Sequence, residues 1–356
     1  MGNVFRMHVL GADYGDCLWV DYGDANAPHR ILVDAGTPAT FSRLKPCLEQ
    51  VRGATPSHEL LLITHIDEDH IGGGLNVLYA PKLAAQFKNI WFNGRRHLLE
   101  AAKEEDFGAV QGEKLTAAIL ARNVAWNAHF GGRGVVRDKD GKPVTVDFPD
   151  GAKVTVLTPS ATQLKKLLPV WDKAVRAAGL DPVNPKIVLP PVEGEEAFGA
   201  IDVAKLAGAA TKEDTAEANG SSISILIEFE GRRLLLGADA HPSVLLEGIR
   251  AFTGGKRLKV DVFKLPHHGS KANVTEALLD AVDAKVIVFS TNGVQFRHPD
   301  REAVARVIKR YGKGAKLVFN YNTQFTSIWR DAGLQGQWGY EVEYGVGNAG
   351  ISVVLA

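Results

Sequence analysis

The stretch Leu60-Leu61-Leu62-Ile63-Thr64-His65-Ile66-Asp67-Glu68-Asp69-His70-Ile71-Gly72-Gly73-Gly74 joins a short apolar run to a dense group of polar residues. The apolar run has the length of a β-strand that is buried on both faces. Four potential metal ligands follow within six residues, where this strand ends: His65, Asp67, Asp69 and His70. Ligand sites of α/β folds gather at the carboxyl ends of strands, and buried charges need partners. The stretch therefore predicts a metal site rather than a charged loop.

The length of the chain limits how it is divided into domains. It has 356 residues, and a single core rarely grows beyond about 250–300 residues. The choice lies between two domains and one domain with insertions. We expect one domain over residues 1–356, with insertions at about 94–150 and 160–218.

Charge and cysteine content narrow the class of protein. Lys and Arg together number 41, as do Asp and Glu, so no overall positive field indicates nucleic acid or a membrane surface. A local basic patch is still compatible with this balance. Cys17 and Cys47 do not form a disulfide framework, and they fit a reducing cytoplasm. No signal sequence and no transmembrane run is predicted, so we expect a cytoplasmic protein without a membrane partner.

Hydrophobic periodicity predicts alternating strands and helices, which indicate two stacked sheets with helices outside. The predicted strands cover 4–10, 17–22, 30–34, 60–63, 89–93, 153–158, 222–229, 232–238, 260–265, 285–290, 316–320, 325–329, 339–344 and 351–355. The predicted helices cover 38–52, 75–87, 97–127, 160–178, 242–252, 274–281 and 300–311. Residues 181–218 are rich in Pro, Gly, Ala and Glu, and predict either an ordered lid or a mobile insertion.

Candidate site residues lie at four separate strand ends. Asp34 ends the third strand, the segment 65–70 follows the fourth, and Asp239 and the pair His267-His268 follow two later strands. Strand ends that are far apart in sequence can converge in space. Imidazoles around a shared carboxylate are what a two-metal hydrolase needs, since its ions acidify a water molecule near neutral pH.

These motifs together resemble a known family. The segment Thr64-His65-Ile66-Asp67-Glu68-Asp69-His70 resembles the His-x-His-x-Asp-His signature of the metallo-β-lactamase superfamily, with Asp in the second His place. Further motifs make the set similar to the soluble hydrolase domain of ComEC-type competence proteins and their free-standing relatives: Gly15-Asp16-Cys17, Leu32-Val33-Asp34-Ala35-Gly36, Asn219-Gly220-Ser221-Ser222, Leu236-Gly237-Ala238-Asp239, His267-His268-Gly269-Ser270 and His298-Pro299. The resemblance implies a four-layer αβ/βα sandwich, of the α+β class, with two mixed sheets.

The resemblance also implies roles for single residues. Asp69 and His70 would hold one metal ion with a histidine of the pair 267–268; His267 is favoured and His268 is the second choice. Asp239 would be the bridging carboxylate. His65 and Asp67 would hold the other ion. Asp69 and Asp239 are expected to take part in catalysis together with His298.

One position departs from the family pattern. Asn219 stands where the family has the third histidine of the second ion. With Asp67, it makes this half of the site rich in oxygen, which shifts the preference from Zn²⁺ toward Mn²⁺ or a weakly held ion. We expect one or two divalent ions, with Zn²⁺ first and Mn²⁺ as the alternative. His97 and His129 could substitute for the missing imidazole, although both fit ordinary helix positions better.

Four further residues each have two interpretations. Asp34 either caps a helix or orients a metal ligand. Asp16 is a residue of the turn or contacts a ligand or the substrate, and Ser270 is a solvated polar residue or binds an anion. His298 either caps a helix or donates a proton to a leaving oxygen.

Three functions are compatible with these motifs. The first is a metal-dependent phosphodiesterase or nuclease acting on nucleic acid or a nucleotide. The second is hydrolysis of a small ester, lactone, thioester or amide, because fold alone does not choose among these substrates. The third is a non-catalytic nucleotide-binding or partner subunit with an incomplete metal site.

Overall fold

The computed structural model describes residues 2–51, 56–102, 110–177 and 201–356. Within these residues the chain forms fifteen strands and twelve helices. The strands are β1 (Asn3–Val9), β2 (Leu18–Asp24), β3 (His29–Val33), β4 (Leu60–Leu62), β5 (Asn89–Trp91), β6 (Ala125–Trp126), β7 (Val144–Asp147), β8 (Lys153–Val156), β9 (Ile225–Phe229), β10 (Arg232–Leu236), β11 (Leu258–Lys264), β12 (Val282–Phe289), β13 (Lys316–Phe319), β14 (Glu341–Tyr344) and β15 (Ile351–Val354). The helices are α1 (Phe41–Gln50), α2 (Glu68–Tyr79), α3 (Pro81–Ala84), α4 (Arg95–Ala102), α5 (Val110–Arg122), α6 (Ala161–Ala177), α7 (Val203–Ala207), α8 (Glu217–Gly220), α9 (Pro242–Thr253), α10 (Glu276–Ala281), α11 (Arg301–Tyr311) and α12 (Ala332–Trp338).

The strands form two mixed sheets. The first sheet has the order β15-β1-β2-β3-β4-β5-β6, and the second has the order β14-β13-β12-β11-β10-β9-β8-β7. In the first sheet the strands from β3 to β6 are parallel, and in the second the strands from β10 to β14 are parallel. Parallel neighbours bring their carboxyl ends to one edge of each sheet, which is where the candidate ligands follow.

The two sheets face each other across a shared apolar core. Alternate residues of β1, Phe5 and Met7 among them, point inward and are fully buried, as the two-residue period of a strand requires. They belong to one cluster with Ile225, Leu234 and Val262 of the second sheet. This cluster forms the middle of the molecule.

Helices cover the outer faces of the sheets. Leu61 of β4 packs outward into a cluster with residues of α1, α2, α5 and α6, while its neighbours Leu60 and Leu62 point inward. On the other side, Leu235 and Phe263 pack with residues of α9, α10 and α11. The expected αβ/βα sandwich is thereby confirmed, and β4 is buried on both faces as its sequence predicts.

The glycines after His70 lie inside α2, although the sequence predicted a helix only from residue 75. The helix begins at Glu68, so that Asp69 and His70 occupy its first turn. A Cβ on Gly73 would lie only 2.0 Å from the carbonyl oxygen of Ala35. The absence of a side chain at this position therefore lets the ligand-bearing turn approach the end of β3.

Several other elements differ from the sequence prediction. The predicted strand at 325–329 is wrong: Ser327–Arg330 is a 3-10 turn, with the hydroxyl of Thr326 donating to the carbonyl of Tyr321 and the Trp329 side chain buried. The predicted helix over 97–127 includes α4 and α5, with residues 103–109 between them outside the described residues, and its last part is wrong because Ala125–Trp126 is the strand β6. Neither β7 nor α12 was predicted.

The segments predicted as insertions take part in both halves of the sandwich. In 94–150, β6 and β7 form edge strands of the two sheets. In 160–218, α6 buries Trp171 against the first sheet, and α7 packs on the outside of the second. Of the segment 181–218, predicted as either an ordered lid or a mobile insertion, residues 181–200 lie outside the described residues. That the chain forms one domain stays a prediction. None of the described helices is both long and apolar enough to cross a membrane.

His58 gives the fold a dependence on pH. It is fully buried, and its ring lies 5.0 Å from Trp19 and 4.9 Å from Phe87. Burial, with a smaller effect from Arg30, lowers its pKa from 6.5 to about 3. The folded state therefore holds fewer protons than the unfolded state below pH 6.5, and the stability that neutral His58 contributes is lost as the pH falls.

We expect the free energy of unfolding to decrease as the pH falls from about 6.5 toward 3, with His58 contributing a slope of up to about 1.4 kcal/mol per pH unit. Urea denaturation at a series of pH values measures this slope. His58→Gln removes the titrating group, so the variant's curve should be flatter than that of the parent protein. Parallel curves for the two proteins would contradict this assignment.

Candidate metal centre

The candidate ligands converge where the carboxyl ends of the parallel strands of the two sheets meet. His65 follows β4, and Asp69 and His70 stand at the start of α2. Asp239 follows β10, while His268 follows the neighbouring parallel strand β11. The two halves of the site therefore come from different sheets, and each half is held by the end of a buried strand.

One carboxylate oxygen lies at the centre of the group. The Oδ2 atom of Asp239 lies near the Nε2 atoms of four imidazoles, and Asp239 itself is only 2% exposed. The distances from this oxygen are 3.4 Å to His70, 3.6 Å to His268, 3.8 Å to His267 and 4.0 Å to His65. A shared carboxylate of this kind is the expected bridge between two ions.

The inward-facing atoms of this group lack hydrogen-bond partners among the described residues. They are Nε2 of His65, His70 and His268, and Oδ1 of Asp239, all buried. A buried polar atom without a partner costs about 1–3 kcal/mol, and native proteins rarely keep several together without reason. Coordination to a cation would satisfy all four atoms.

The spacing of the ligand atoms fits a divalent ion. The three atoms in the group Asp69, His70 and His268, and those in the group His65, His70 and Asp239, lie within 4.8 Å of one another. In the first group, Asp69 Oδ2 lies 3.4 Å from His268 Nε2 and 3.9 Å from His70 Nε2. Tetrahedral Zn²⁺ with bonds of about 2.0–2.2 Å places its ligands roughly 3.3–3.6 Å apart. A small contraction of the observed group would complete such a site.

Hydrogen bonds at the other ring nitrogen orient three of these imidazoles. Nδ1 of His70 lies 2.7 Å from Asp34 Oδ2, that of His65 lies 2.9 Å from Thr64 Oγ1, and that of His268 lies 2.8 Å from the carbonyl oxygen of Ser290. Partners of this kind fix the tautomer and present Nε2 to a metal ion.

The side chain of Asp34 is hydrogen-bonded to Thr64 and does not cap a helix. Its two carboxylate oxygens accept hydrogen bonds from the backbone N–H and the hydroxyl of Thr64, and one of them also meets His70. Of the two interpretations that the sequence left open, these contacts favour the orientation of a metal ligand.

Asp16 joins the centre to a buried lysine. Its Oδ2 atom is paired with Lys264 Nζ, and its Oδ1 atom lies 3.5 Å from Nδ1 of His268. Lys264 is fully buried in β11, an interior strand of the second sheet, so its ammonium group is paired inside the protein and does not reach solvent. Although burial opposes the charge on Asp16, Lys264 and His268 hold its pKa well below the usual range.

The adjacent residues His267 and His268 have different surroundings, which indicate different roles. The sequence prediction favoured His267 as the partner of Asp69 and His70, but the group that contains these two residues includes His268. His267 instead uses Nδ1 to donate to the side-chain oxygen of Asn273, at 2.9 Å, and its side chain is 25% exposed. We therefore propose His268 as the buried ligand and place His267 at the solvent side of the centre.

Asn219 presents its oxygen without a partner. Its Nδ2 atom donates to the carboxylate of Asp214 at 2.7 Å, and since a carboxylate only accepts, the amide oxygen must lie on the other side. That oxygen is buried and has no hydrogen-bond partner among the described residues. These contacts support the predicted role of Asn219 as an oxygen ligand.

Asp214 is a residue that the sequence analysis missed. It accepts hydrogen bonds from Asn219 and Asn273, and it lies 3.4 Å from Nδ1 of His267. Burial works against its charge, but these bonds hold its pKa well below the usual range. It follows no strand, and it stands in a segment of weak periodicity. Its closeness in sequence to Asn219 was the one available signal.

The remaining predicted residues lie around this group. Asp67 precedes α2 with its side chain 44% exposed, 3.5 Å from His65 Nε2. The backbone N–H of Ser270 donates to His267 and its hydroxyl accepts from Ala272, so its contacts are those of a turn. The ring of His298 lies 5.5 Å from that of His267.

The two substitute histidines belong to another part of the chain. His97 packs at 4.8 Å against Trp126, and His129 accepts a hydrogen bond from the indole of Trp91. Neither joins a ligand group among the described residues. They do not replace the missing imidazole.

Protons and metal ions compete for the centre. Burial lowers the pKa of His70, but Asp239, Asp34 and Asp69 outweigh it and raise the pKa well above its usual range. For His268, burial is likewise outweighed by Asp239 and Asp16, which raise the pKa to about 9. The raised pKa values favour protonation of these imidazoles, and an imidazole that is protonated at Nε2 must lose that proton to bind an ion.

The two mixed sheets with helices on their outer faces form an αβ/βα sandwich, which is the fold of the metallo-β-lactamase hydrolases. The family model of the metallo-β-lactamase superfamily matches residues 10–162, and in this region the chain is a domain of that superfamily. The match includes the predicted ligands 65–70 and ends before Asn219, Asp239 and His268. The resemblance to ComEC-type proteins is narrower than this match, and it stays a prediction.

Several solved structures are similar to this chain at low sequence identity. Zn²⁺-bound PqqB from Methylobacterium extorquens is 12% identical with a TM-score of 0.44, and covers 98% of this chain and 99% of its own. The short form of human tRNase Z is 10% identical with a TM-score of 0.44, over 99% of both chains. YhfI from Bacillus subtilis, a metallo-β-lactamase fold protein, is 10% identical with a TM-score of 0.42, over 99% of this chain and 100% of its own.

Similarity at this level of sequence identity does not indicate which substrate the protein acts on. No curated protein matched the sequence.

The proposed ligands can be tested by metal binding. We expect chelator-treated protein to gain thermal stability on addition of Zn²⁺ or Mn²⁺, because binding to the folded state alone stabilises it. His268→Ala should abolish most of this gain, whereas His267→Ala should retain most of it. Asp34→Asn should weaken metal affinity by about 10–100-fold, since it disturbs the hydrogen bond behind His70.

Calorimetry and metal analysis of the purified variants measure these effects. His8→Ala is the matched control, because His8 lies on β1 and bonds to Ser352 and Ala349. Equal metal affinity of His268→Ala and the parent protein would refute the assignment.

The buried pair of Lys264 and Asp16 can be tested by stability. Lys264→Met leaves a buried carboxylate unpaired, and we expect a loss of about 3–5 kcal/mol in the free energy of unfolding. The double variant Lys264→Met/Asp16→Asn should recover much of this loss, since both charges are then removed. Lys316→Met, which breaks an exposed pair with Glu343, should cost less than about 1 kcal/mol. Urea denaturation measures all three, and equal losses for the two single variants would contradict the prediction.

Proposed function

We propose that this protein is a metal-dependent phosphodiesterase that activates water at the Asp239 centre. The observation that carries the proposal is the convergence of four imidazole nitrogens on one buried carboxylate oxygen. His65, His70, His268, Asp69 and Asp239 would hold the ions. Divalent ions bound there supply Lewis acidity and an acidified water molecule.

The oxygen ligands favour a phosphodiester over a carboxylic ester. Asp67 and the unpartnered oxygen of Asn219 give one half of the centre hard ligands, which suit ions that bind phosphate oxygens. Zn²⁺ is the first expectation and Mn²⁺ the alternative. Nucleic acid or a nucleotide is the proposed substrate class.

Two histidines lie at the rim of the centre, and one of them can serve the leaving group. Nε2 of His267 lies 3.8 Å from Asp239, and hydrogen bonding to Asn273 assigns the proton to its Nδ1. Beside it, burial lowers the pKa of His298, although Asp300 works in the opposite direction. His298 would donate a proton to the departing oxygen, which requires its protonated form.

The activity test uses bis-p-nitrophenyl phosphate with Zn²⁺ or Mn²⁺. We expect hydrolysis by the parent protein and loss of activity in His70→Ala and in Asp239→Ala, because each removes a ligand. His8→Ala should retain full activity. If the protein holds metal but hydrolyses only esters or lactones, the proposal is wrong and ester hydrolysis replaces it. Stoichiometric metal without turnover on any substrate would support a non-catalytic role.

The role of His298 can be separated from the role of the metal ligands. Nitrophenolate leaves without a proton, so His298→Ala should change the hydrolysis of nitrophenyl diesters by less than tenfold. An alkyl leaving group needs the proton, and kcat for a dinucleotide should fall by about 10²–10⁴-fold. In this variant the pH profile of kcat should no longer show the decrease at high pH that deprotonation of a general acid causes. Equal losses on both substrates would show that His298 has a structural role instead.

A further inference from the structure

The loop that follows β12 exposes large apolar side chains beside the metal centre. Val294 is 70% exposed and Phe296 is 50% exposed. His298, in the same loop, contacts His267. Exposed apolar side chains that are grouped beside a site can mark a ligand-binding surface.

A continuous series of rings runs from the buried ligands to this exposed phenyl group. The ring centroids of His268 and His267 lie 5.9 Å apart, and those of His267 and His298 lie 5.5 Å apart. Phe296 lies 6.1 Å from His298, with the two rings inclined by 31°. Only the ring of His298 therefore lies between the exposed phenyl ring and His267.

Tyr14, in the loop between β1 and β2, packs against Phe296. The two rings lie 5.7 Å apart and meet edge to face at 87°. Burial, together with the nearby carboxylates of Glu68 and Asp69, raises the pKa of the Tyr14 phenol. Tyr14 therefore stays protonated and lies between the exposed ring and the ligand-bearing turn.

The backbone holds this loop in a defined position. The N–H of Asn292 donates to the carbonyl of Asp13 at 2.7 Å, and that of Arg297 donates to the carbonyl of Gly293 at 2.9 Å. Gly293 packs so closely that a Cβ would lie 2.4 Å from the ring of Phe325. The exposed ring is therefore presented by an ordered platform, and little entropy is lost when a ligand binds.

We propose that Phe296, supported by Tyr14 and His298, stacks against an unpaired nucleobase next to the scissile phosphate. This inference rests on the proposed phosphodiesterase function and specifies its substrate class as single-stranded nucleic acid or a short nucleotide diester. Every nucleobase has a π-face, so this contact selects for an accessible base rather than for sequence. The rim that comprises Tyr14, Phe296 and His298 is the stacking platform.

The charge balance favours stacking over broad contact with the phosphate backbone. Lys and Arg equal Asp and Glu at 41 each, so affinity for nucleic acid cannot come from an overall positive field. A base that is stacked within a duplex cannot reach a side chain, whereas an unpaired base can. The platform is therefore expected to discriminate against double strands.

The test is binding of short fluorescein-labelled oligothymidylate to the full-length, metal-loaded protein. Phosphorothioate linkages prevent cleavage, and an abasic oligomer of the same length and charge is the reference. Stacking of one base is worth about 1–3 kcal/mol, so the parent protein should bind the thymidine oligomer about 5–150-fold more tightly than the abasic one. Phe296→Ala should remove this difference, and Phe296→Trp should keep or increase it. Val354→Ala, at an exposed apolar position on β15, should leave it unchanged.

The result separates this inference from the proposed function because the measurement needs no turnover. Equal affinity for the thymidine and abasic oligomers, or an unchanged preference in Phe296→Ala, would overturn the stacking platform even in an active phosphodiesterase. A preference that depends on Phe296 in a protein without hydrolytic activity would support the platform and refute catalysis. Equal or tighter binding of the duplex form would also overturn the platform.

Discussion

The buried carboxylate of Asp239 sets the constraint on which the arrangement of the centre depends. Since an isolated charge of this kind is costly in the interior, the chain must place cations or cation ligands around it. Burial alone would raise the pKa of Asp239, but His70, His268 and His267 hold it well below the usual range. The same imidazoles reach this oxygen from both sheets, so the position of Asp239 couples the packing of the sheets to the geometry of the centre.

Backbone strain is concentrated at the same strand ends. Asp34, Ala238, His267 and His268 all have positive φ, between 47° and 55°, which residues other than glycine rarely adopt. Such conformations cost about 1–3 kcal/mol each and persist only where the surrounding structure determines them. At Gly15 a Cβ would lie 1.9 Å from the carbonyl oxygen of Asp69, so the loop after β1 closes directly over the ligand-bearing turn. Tight packing thus holds the ligands in positions that their local sequence alone would not choose.

The sequence predicted those parts of the centre that follow a strong local pattern. The β4 run, the residues 65–70 and Asp239 could be found because each follows an apolar strand. The choice between His267 and His268 could not be made from sequence, because adjacent side chains diverge according to a backbone φ that no pattern reveals. The pair of Lys264 and Asp16 could not be found from sequence for a related reason: a lysine in a strand normally reaches solvent, and its carboxylate partner Asp16 lies 248 positions away in the chain.

The division of the centre between two sheets has a consequence for how the protein folds. His65, Asp69 and His70 are close in sequence and can be brought together early, when only the first half of the chain has folded. Asp239 and His268 come much later, and contacts of such long sequence separation form slowly because the intervening chain must first be closed. During synthesis strands β1 to β6 of the first sheet emerge with only part of the ligands, whereas its last strand β15 comes at the end of the chain. Tight metal capture would therefore mark the moment at which the second sheet docks, and a chain released before that moment would hold its ion weakly.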